Sequence, residues 1–400
     1  MRFIMMVVLI DMLAVGIIVP VLPMMVGRFT TDPSEQSTWY GVVTMSYALS
    51  QFIGAPVLGA LSDRFGRRPV LLLGFCGLAI NFFTTALATS IAMLVASRII
   101  GGLMQANAAV ANAYVADITP PEQRARRFGL LGAMFGLGFI LGPVVGGLLG
   151  GIDIRLPFFV AGALALLNLA YGWFVLPESL PAAPRPAIDW KRANPMSAFR
   201  QLAALKGVGL LVGVLAMTAL AQFALYTVWV LYGQFRFGWG PTESGWSLFA
   251  VGVVSAFVQG WLLGRLLRRY TAQRLAMLGL ASSTLAFTLW GLAIEPWMMY
   301  AVIFANLLGA TVTAALQGLV SGAADEKTQG RTMGAVSSLN SLAAVLAPVL
   351  AAPLLAGVSH LPAQDWRLGL PMFFCAALQG TALLLALLHF RRQPTGSPAP

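Results

Sequence analysis

The amino-acid sequence predicts an all-α integral membrane protein with twelve transmembrane helices in two pseudo-symmetric six-helix bundles. Hydrophobic residues make up 58% of the 400 positions and charged residues only 10%, far from the average of soluble domains. Apolar segments long enough to cross a bilayer as helices recur along the whole chain. The two halves also repeat a pattern: Gly59-x-Leu61-x-x-Arg64-x-x-Arg67-Arg68 returns as Gly260-x-Leu262-x-x-Arg265-x-x-Arg268-Arg269, as expected of an internal duplication.

The apolar segments divide the chain into two bundles. The predicted spans cover about 4–26, 38–60, 70–88, 91–115, 126–151, 155–176, 207–231, 243–266, 273–293, 297–320, 332–357 and 367–390. They define an N-terminal bundle over 1–180, a linker over 181–206, a C-terminal bundle over 207–392 and a tail over 393–400. Prolines exclude a long helix from the linker, where we expect a short amphipathic helix near 196–206 lying on lipid headgroups.

The positive charges lie in alternate loops. A net charge of +11 would suggest a nucleic-acid partner in a soluble protein, but here the basic residues concentrate on one side of the predicted spans. The opposite loops contain only Arg28, Arg155, Arg236 and Arg367. This asymmetry predicts that both termini are cytoplasmic and that the lipid bilayer, not nucleic acid, is the partner. The first span, interrupted by Asp11, is expected to be retained rather than cleaved as a signal peptide.

Asp11 is the acidic residue that lies well inside a predicted span. A carboxylate there is costly and usually faces a cavity or a partner. It could bind a proton or face a substrate. Alternatively, its place about two turns from the membrane surface could let water reach it.

Polar residues in other spans are candidates for a wet cavity. Arg98, Gln105 and Asn112 are seven residues apart, so an unbroken helix would carry them on one face. Arg98 could instead extend outward to the membrane surface. Of the remaining candidates for substrate binding, Tyr47 and Tyr226 would supply an aromatic wall, and Gln51 and Asn340 could equally be helix-packing groups. The other candidates are Asn81, Gln222, Asn306 and Gln317.

A short charged turn separates the second and third spans. It contains Asp63, Arg64, Gly66, Arg67 and Arg68. A loop that only followed the positive-inside rule would explain the arginines but not Asp63 and Gly66. The string resembles the loop between helices two and three of the major facilitator superfamily, in its drug:proton antiporter branch.

The fifth span carries a second resemblance to this branch. Gly138-x-x-x-Gly142-Pro143-x-x-Gly146-Gly147 is similar to its antiporter signature, and small residues at this spacing allow close helix contact. The resemblance implies that Asp117, with Arg127, joins the arginines of the first loop in a charge cluster. This cluster would keep the cytoplasmic face closed in one state of the transporter and would separate when that face opens.

Within the superfamily, the chain most resembles the bacterial tetracycline:proton antiporters. The similarity extends over nearly the whole chain and includes Pro20-Val-Leu-Pro23 and Ala315-Leu-Gln-Gly318. It implies a monomeric, proton-driven exporter of an amphipathic drug in the bacterial inner membrane. Asp11 and Arg98 would act in proton coupling, with no catalytic residues, no cofactor and no metal site of the protein's own.

Three positions differ from that family pattern. Asn81 and Ser282 stand where those antiporters carry acids, and Ser255 stands where they carry a histidine. The exported drug could therefore be tetracycline-like, with or without a divalent metal, or unrelated to tetracycline. A transporter of a small endogenous metabolite remains an alternative. A membrane enzyme or sensor is a further rival, although the spans contain no catalytic metal set and no nucleophile–base pair.

Overall fold

A computed structural model describes residues 2–105, 107–180, 209–322 and 329–392. Every regular element within these ranges is a helix. The predicted linker over 181–206, with its amphipathic helix near 196–206, and the predicted tail over 393–400 lie outside the described residues. The all-α prediction is confirmed for the described part of the chain.

The described residues form two compact units. The first contains the residues up to 180 together with Gly238–Gly252, and the second contains 209–237 and the residues from 253 onward. The helices of the first unit are α1 (Arg2–Ile18), α2 (Leu22–Gly27), α3 (Pro33–Phe65), α4 (Arg67–Ala86), α5 (Ile91–Met104), α6 (Asn107–Asp117), α7 (Pro121–Ile152) and α8 (Leu156–Val175).

The regular elements described in the second unit are also helices. Its helices are α9 (Gly209–Phe237), the end of α10 (Pro241–Phe257), α11 (Leu263–Arg269), α12 (Ala272–Leu292), α13 (Pro296–Ala305), α14 (Val312–Gly322), α15 (Gln329–Val358) and α16 (Leu370–Arg392). A π-helical turn, Val258–Leu262, joins α10 to α11. Short 3-10 turns at Gly309–Thr311 and Trp366–Gly369 precede α14 and α16.

The helices have the length and composition of membrane spans. Ten helical segments of the described chain are long and apolar enough to cross a bilayer, and α13 with α14, bent by 54°, would supply an eleventh. The first predicted span, 4–26, corresponds to α1, a turn and α2. Pro20 has no N–H to continue the helix ladder, which explains the interruption.

Glycines bring α1 and α7 into close contact. A Cβ added to Gly16 would lie 2.8 Å from the carbonyl oxygen of Gly138, and one added to Gly142 would lie 2.6 Å from Cα of Gly16. Neither position can therefore carry a side chain without separating the helices. A Cβ at Gly147 would likewise lie 2.6 Å from the carbonyl oxygen of Pro241, at the start of α10. The helix that carries Asp11 is thus packed backbone to backbone against α7.

Glycines of α5 also allow this helix to pack closely against both α3 and α4. A Cβ at Gly102 would lie 2.5 Å from the carbonyl oxygen of Tyr47 on α3, and one at Gly101 would lie 2.6 Å from the side chain of Asn81 on α4. Because consecutive helix residues point about 100° apart, Tyr47 and Asn81 contact two different faces of the helix that carries Arg98.

The predicted fourth span is interrupted rather than continuous. The α5 helix ends at Met104, Gln105 has the non-helical torsion angles φ −88° and ψ 80°, and α6 begins at Asn107. Gly101 and Gly102 just before the break lower the helix propensity. The predicted tenth span is also broken, between α13 and α14. The tenth is a pair of helices bent by 54°, whereas Ile91–Asp117 still counts as one candidate span of 27 residues despite the non-helical Gln105.

Candidate functional site

The carboxylate of Asp11 is buried in the first unit. The residue is 4% exposed, and the side-chain amide of Asn107 donates a hydrogen bond of 3.0 Å to its Oδ1. A buried polar group is costly unless it has such a partner. The structure therefore places Asp11 in the interior of the unit, held by a neutral donor from α6.

Sequence reasoning missed Asn107 as a site residue. The seven-residue spacing of Arg98, Gln105 and Asn112 presumes a helix without interruption. After the break, Asn112 is exposed and its amide donates to the carbonyl oxygen of Ala108 on its own helix. Asn107, not Asn112, is the amide of α6 that reaches the buried carboxylate.

The guanidinium group of Arg98 is also buried. Arg98 is 3% exposed, its Nη2 donates to the hydroxyl of Thr85 at 3.2 Å, and its guanidinium carbon lies 5.9 Å from the ring centre of Tyr47. Thr85 in turn forms a 3.0 Å hydrogen bond with Ser97. The side chain lies within the helix bundle rather than extending to its surface, and its described hydrogen-bond partner is neutral.

A second residue that sequence reasoning missed holds α1 near Asp11. The side-chain amide of Asn168 on α8 donates 2.9 Å to the carbonyl oxygen of Val7, one helical turn before Asp11. Asn168 is fully buried. Because α6 contacts the carboxylate and α8 contacts the preceding turn, α1 is fixed from two sides at this level.

The loop between α3 and α4 forms a charge cluster. Gly66 has φ 112°, a backbone region that residues with a Cβ rarely adopt, and this turn directs Arg67 towards two carboxylates. The guanidinium of Arg67 lies 2.5 Å from Asp63 and 3.1 Å from Asp117. Arg64 lies exposed, with its charge 5.6 Å from the ring centre of Phe65.

Glu178 is a member of this cluster that the sequence did not indicate. Its carboxylate accepts the backbone N–H of Arg67 at 2.9 Å and of Arg68 at 3.2 Å, at the first turn of α4, where unpaired N–H groups and the helix dipole favour an anion. Arg68 donates to the carbonyl oxygen of Trp173 near the end of α8. The hydroxyl of Ser179 donates 3.0 Å to Asp117. The chain that follows α8 is thereby joined to the loop. Arg127, also predicted for this cluster, is half-buried in α7.

The predicted residues of the second unit are partly buried. Asn306, at the break after α13, accepts a 2.8 Å hydrogen bond from the hydroxyl of Ser282. Tyr226 is 52% exposed, and its ring packs edge-on against Phe223 at 6.5 Å. Gln222, Gln317 and Asn340 are half-buried.

Trp229 does not share the exposure of Tyr226. It is 3% exposed and packs against Trp290 with 5.0 Å between ring centres. It therefore belongs to the core of the second unit. Among the described residues, His, Cys, Asp and Glu side chains form no group of three that could hold a metal ion.

Comparison with known proteins identifies the family. The model of the Major Facilitator Superfamily matches residues 4–348 and 262–400. The class C tetracycline resistance protein of Escherichia coli is 36% identical over 389 residues, which are 97% of this chain and 95% of that protein.

Animal proteins of this superfamily are also similar to this chain. Major facilitator superfamily domain-containing protein 10 of Bos taurus is 32% identical over 333 residues, 78% of this chain and 72% of that protein. The crystal structure of the human organic anion transporter MFSD10 (TETRAN) has a TM-score of 0.69 and 25% identity, covering 96% of this chain and 98% of that one. The chain therefore belongs to the major facilitator superfamily of membrane transporters and is a relative of the bacterial tetracycline resistance proteins.

Proposed function

We propose that this transporter is a proton-coupled antiporter that exports an amphipathic drug and uses Asp11 as its proton-binding group. The observation that carries the proposal is the buried carboxylate of Asp11 on α1, whose described partner is the uncharged amide of Asn107. An acidic group in a low-dielectric interior changes the local electrostatic energy strongly when it gains or loses a proton. The similarity to tetracycline resistance proteins supports the same function.

The proton would act by changing the charge of the first unit. When Asp11 is ionised, Asn107 donates to a full negative charge, and such charge-assisted bonds are the stronger kind. When a proton binds the carboxylate, that bond weakens and the cost of keeping a charge away from water disappears. The two protonation states therefore favour different packing of α1 against its neighbours. Exchange of drug for proton follows if each state prefers one orientation of the transporter.

The aromatic pair Phe223–Tyr226 suits an apolar, ring-containing substrate. Tyr226 is half-exposed, so its face is available while its edge contact with Phe223 holds it in place. Sites for drug-sized ligands are mostly apolar with a few polar groups that fix orientation. Half-buried amides such as Gln222 and Gln317 would be such groups.

Uphill transport in everted membrane vesicles tests the proposal. Asp11→Asn is expected to abolish drug accumulation driven by a pH gradient while leaving downhill drug exchange measurable. Asp153→Asn is the matched control, because Asp153 is exposed and bonds the backbone N–H of Arg155, a contact that an asparagine oxygen can also accept. If Asp11→Asn still accumulates drug uphill on a pH gradient, Asp11 is not the coupling group.

A second candidate function is transport of a small organic anion. It is favoured by the similarity to MFSD10 proteins, one of which is an organic anion transporter, and by the buried cation of Arg98, whose described contacts are to the neutral groups of Thr85 and Tyr47. Growth of cells with and without the gene on a panel of drugs, beside uptake of labelled carboxylates into vesicles, separates the two candidates. Drug protection without carboxylate transport favours the first.

We further infer that the α3–α4 loop and both termini face the cytoplasm, and that the charge cluster around Arg67 holds that face closed in one state. The basic residues of the sequence support this orientation. Labelling of single cysteines introduced at Asp63 and at Asp32, the latter just before α3, tests it. A membrane-impermeant thiol reagent should modify position 32, but not position 63, in intact cells.

A further inference from the structure

Three side chains at the junction of α10 and α11 form a column on the surface of the second unit. The ring centres of Phe257 and Trp261 are 5.1 Å apart, and the guanidinium carbon of Arg265 lies 3.5 Å from the ring centre of Trp261. Phe257 is 46% exposed, Trp261 is 50% exposed, and Arg265 is exposed as well. An apolar ring, an indole and a cation therefore follow one another towards the charged end of the span Pro241–Arg269.

The π-helical turn Val258–Leu262 lies inside this column. Four residues of an α-helix turn about 40° beyond one full turn, whereas a π-helical turn is wider, because its hydrogen bonds join residues five apart. The two offsets oppose each other, so residues 257, 261 and 265 stay close to one line. Turns of this kind are frequent at functional sites.

The internal repeat carries different charges in its two copies. In the first unit Arg67 pairs with Asp63, one helical turn before it. Arg268 occupies the place of Arg67 in the second copy, but Gly264 occupies the place of Asp63, and no acidic residue occurs from 244 to 294. Within the described part of the chain, the arginines of the second copy form no ion pair. The second copy therefore presents its cations to a partner outside the described chain.

The order of rings and charges identifies the chemistry of this partner. Arg265, Arg268 and Arg269 are exposed on the short helix α11, and guanidinium groups bind phosphate oxygens through two parallel hydrogen bonds. A free phosphate ion would satisfy the arginines but would leave the two rings of the column uncovered. Tryptophan rings at a membrane surface lie at the level of the lipid headgroups. A phospholipid presents its phosphate and its acyl chains in the same order as the column presents its cation and its rings.

We propose that this surface binds an anionic phospholipid. The phosphate lies against Arg265 and Arg268, and the glycerol and the upper acyl chain lie along Trp261 and Phe257. The indole holds the guanidinium group in place by a cation–π contact, so less side-chain freedom is lost on binding. The surface beside the column is open, because a Cβ at Gly264 would meet no atom within 4 Å.

The orientation inferred above places this site at the cytoplasmic surface of the membrane, where anionic lipids produce a negative potential. The site shares no residue with the proposed proton-coupling group. The two proposals therefore stand or fall separately.

Lipid binding by the purified transporter in uncharged detergent micelles tests this surface. Native mass spectrometry counts the phosphatidylglycerol molecules that the protein retains as the lipid concentration rises, and phosphatidylcholine shows the retention of a lipid without net charge. Arg265→Gln should weaken retention of the first phosphatidylglycerol about fivefold, the change expected for one arginine at an anionic lipid surface. Arg391→Gln is the matched control, since Arg391 is an exposed arginine in the last turn of α16, and it should retain the lipid as wild type does.

A second variant separates the column from a simple patch of charge. Trp261→Leu keeps every arginine but removes the ring that holds Arg265 in place. It should also weaken retention of the first phosphatidylglycerol severalfold, whereas a surface that acted by charge alone would be unaffected.

Several results would overturn the proposal. The first is equal retention of phosphatidylglycerol by wild type, Arg265→Gln and Arg391→Gln. The second is an equal rise of the thermal midpoint with glycerol phosphate and with phosphatidylglycerol, which would indicate a site for a free anion. The third concerns Asp325, an acid outside the described residues. If Asp325→Asn increases lipid retention severalfold, the arginines are held by the chain's own carboxylate and not by a lipid.

Discussion

The side-chain amide of Asn107 donates a 3.0 Å hydrogen bond to the carboxylate of Asp11 and so joins α1 to the part of the fourth span that follows the break. The amide oxygen of Asn107 packs against Gly74 on α4, where a methyl group would overlap it. The orientation of this amide is therefore set by two other helices. Under the proposed role of Asp11, its gain and loss of a proton would depend on a donor whose position is fixed by packing.

Replacing Asn107 by leucine removes this donor and keeps the volume. A hydrogen bond to a charged group contributes about 1.5–3 kcal/mol, so we expect pH-gradient-driven export by Asn107→Leu to fall roughly tenfold to hundredfold. Initial export rates in everted vesicles measure the effect, with Gln123→Leu as the control, because Gln123 is an exposed amide in the first turn of α7. Gly74→Ala should cause a similar loss because its methyl group displaces the amide. Normal export by both variants would show that the hydrogen bond has no part in coupling.

The close contact of α1 with α7 makes a second prediction possible. A Cβ at Gly146 would overlap the carbonyl oxygen of Ile17 on α1, whereas a Cβ at Gly132 meets no atom within 4 Å. Overpacking costs about 1–3 kcal/mol, so Gly146→Ala should lower the thermal unfolding midpoint of the purified protein and its transport rate. Gly132→Ala should change stability by no more than about 0.5 kcal/mol. Equal stability of the two variants would contradict the packing described for α1 and α7.

The class of the fold could be predicted from the sequence because membrane helices are specified by local composition. A span needs a certain length of apolar residues, and this requirement is met segment by segment. The charged turn was also predictable, since Gly66 is needed for a positive φ and the arginines around it follow the sidedness of the bilayer.

The interruption of the fourth span could not be predicted in the same way. The residues on both sides of Gln105 are apolar or small, so the sequence pattern continues through the break. Gly101 and Gly102 are a weak local signal, and the contacts of Asn107 with Asp11 and with Gly74 join residues that no sequence pattern brings together. Helical spacing pointed to Asn112 as a cavity residue, but it gave no sign that Asn107 would bond Asp11.

Contacts between residues that are far apart in the chain could likewise not be predicted from sequence patterns. Glu178 lies 111 residues from Arg67, and Asn168 lies 161 residues from Val7. No periodicity of the sequence brings such pairs together; the packing of α8 against α4 and α1 does. Both residues are single polar groups next to apolar helices, a signal shared by many residues of no special role.

Glu178 provides a third prediction. Its carboxylate accepts from the N–H groups of Arg67 and Arg68 with separate oxygens, and glutamine can replace only one of them. Glu178→Gln should therefore lower the thermal midpoint by roughly 2–4 °C, the shift expected for about 1 kcal/mol in a large domain. Glu122→Gln, an exposed residue in the first turn of α7, is the control. An unchanged midpoint for Glu178→Gln would show that the carboxylate does not secure the start of α4.

The two carboxylates that flank Arg67 connect different parts of the chain. This difference predicts which of the two, when replaced, has the larger effect on transport. Asp63 is 58% exposed and belongs to the helix that precedes the turn, so its pair with Arg67 should contribute about 0–1 kcal/mol.

The side chain of Asp117 is 21% exposed and accepts from both Arg67 and Ser179, which ties the end of α6 to the loop and to the chain after α8. If the cluster holds one face of the transporter closed, Asp117→Asn should lower the export rate severalfold and more than Asp63→Asn does, because it releases three segments rather than one. Initial export rates and thermal midpoints of the two purified variants measure the order. A larger effect of Asp63→Asn would place the closing interaction within the turn itself, and the segment after α8 would then have no part in it.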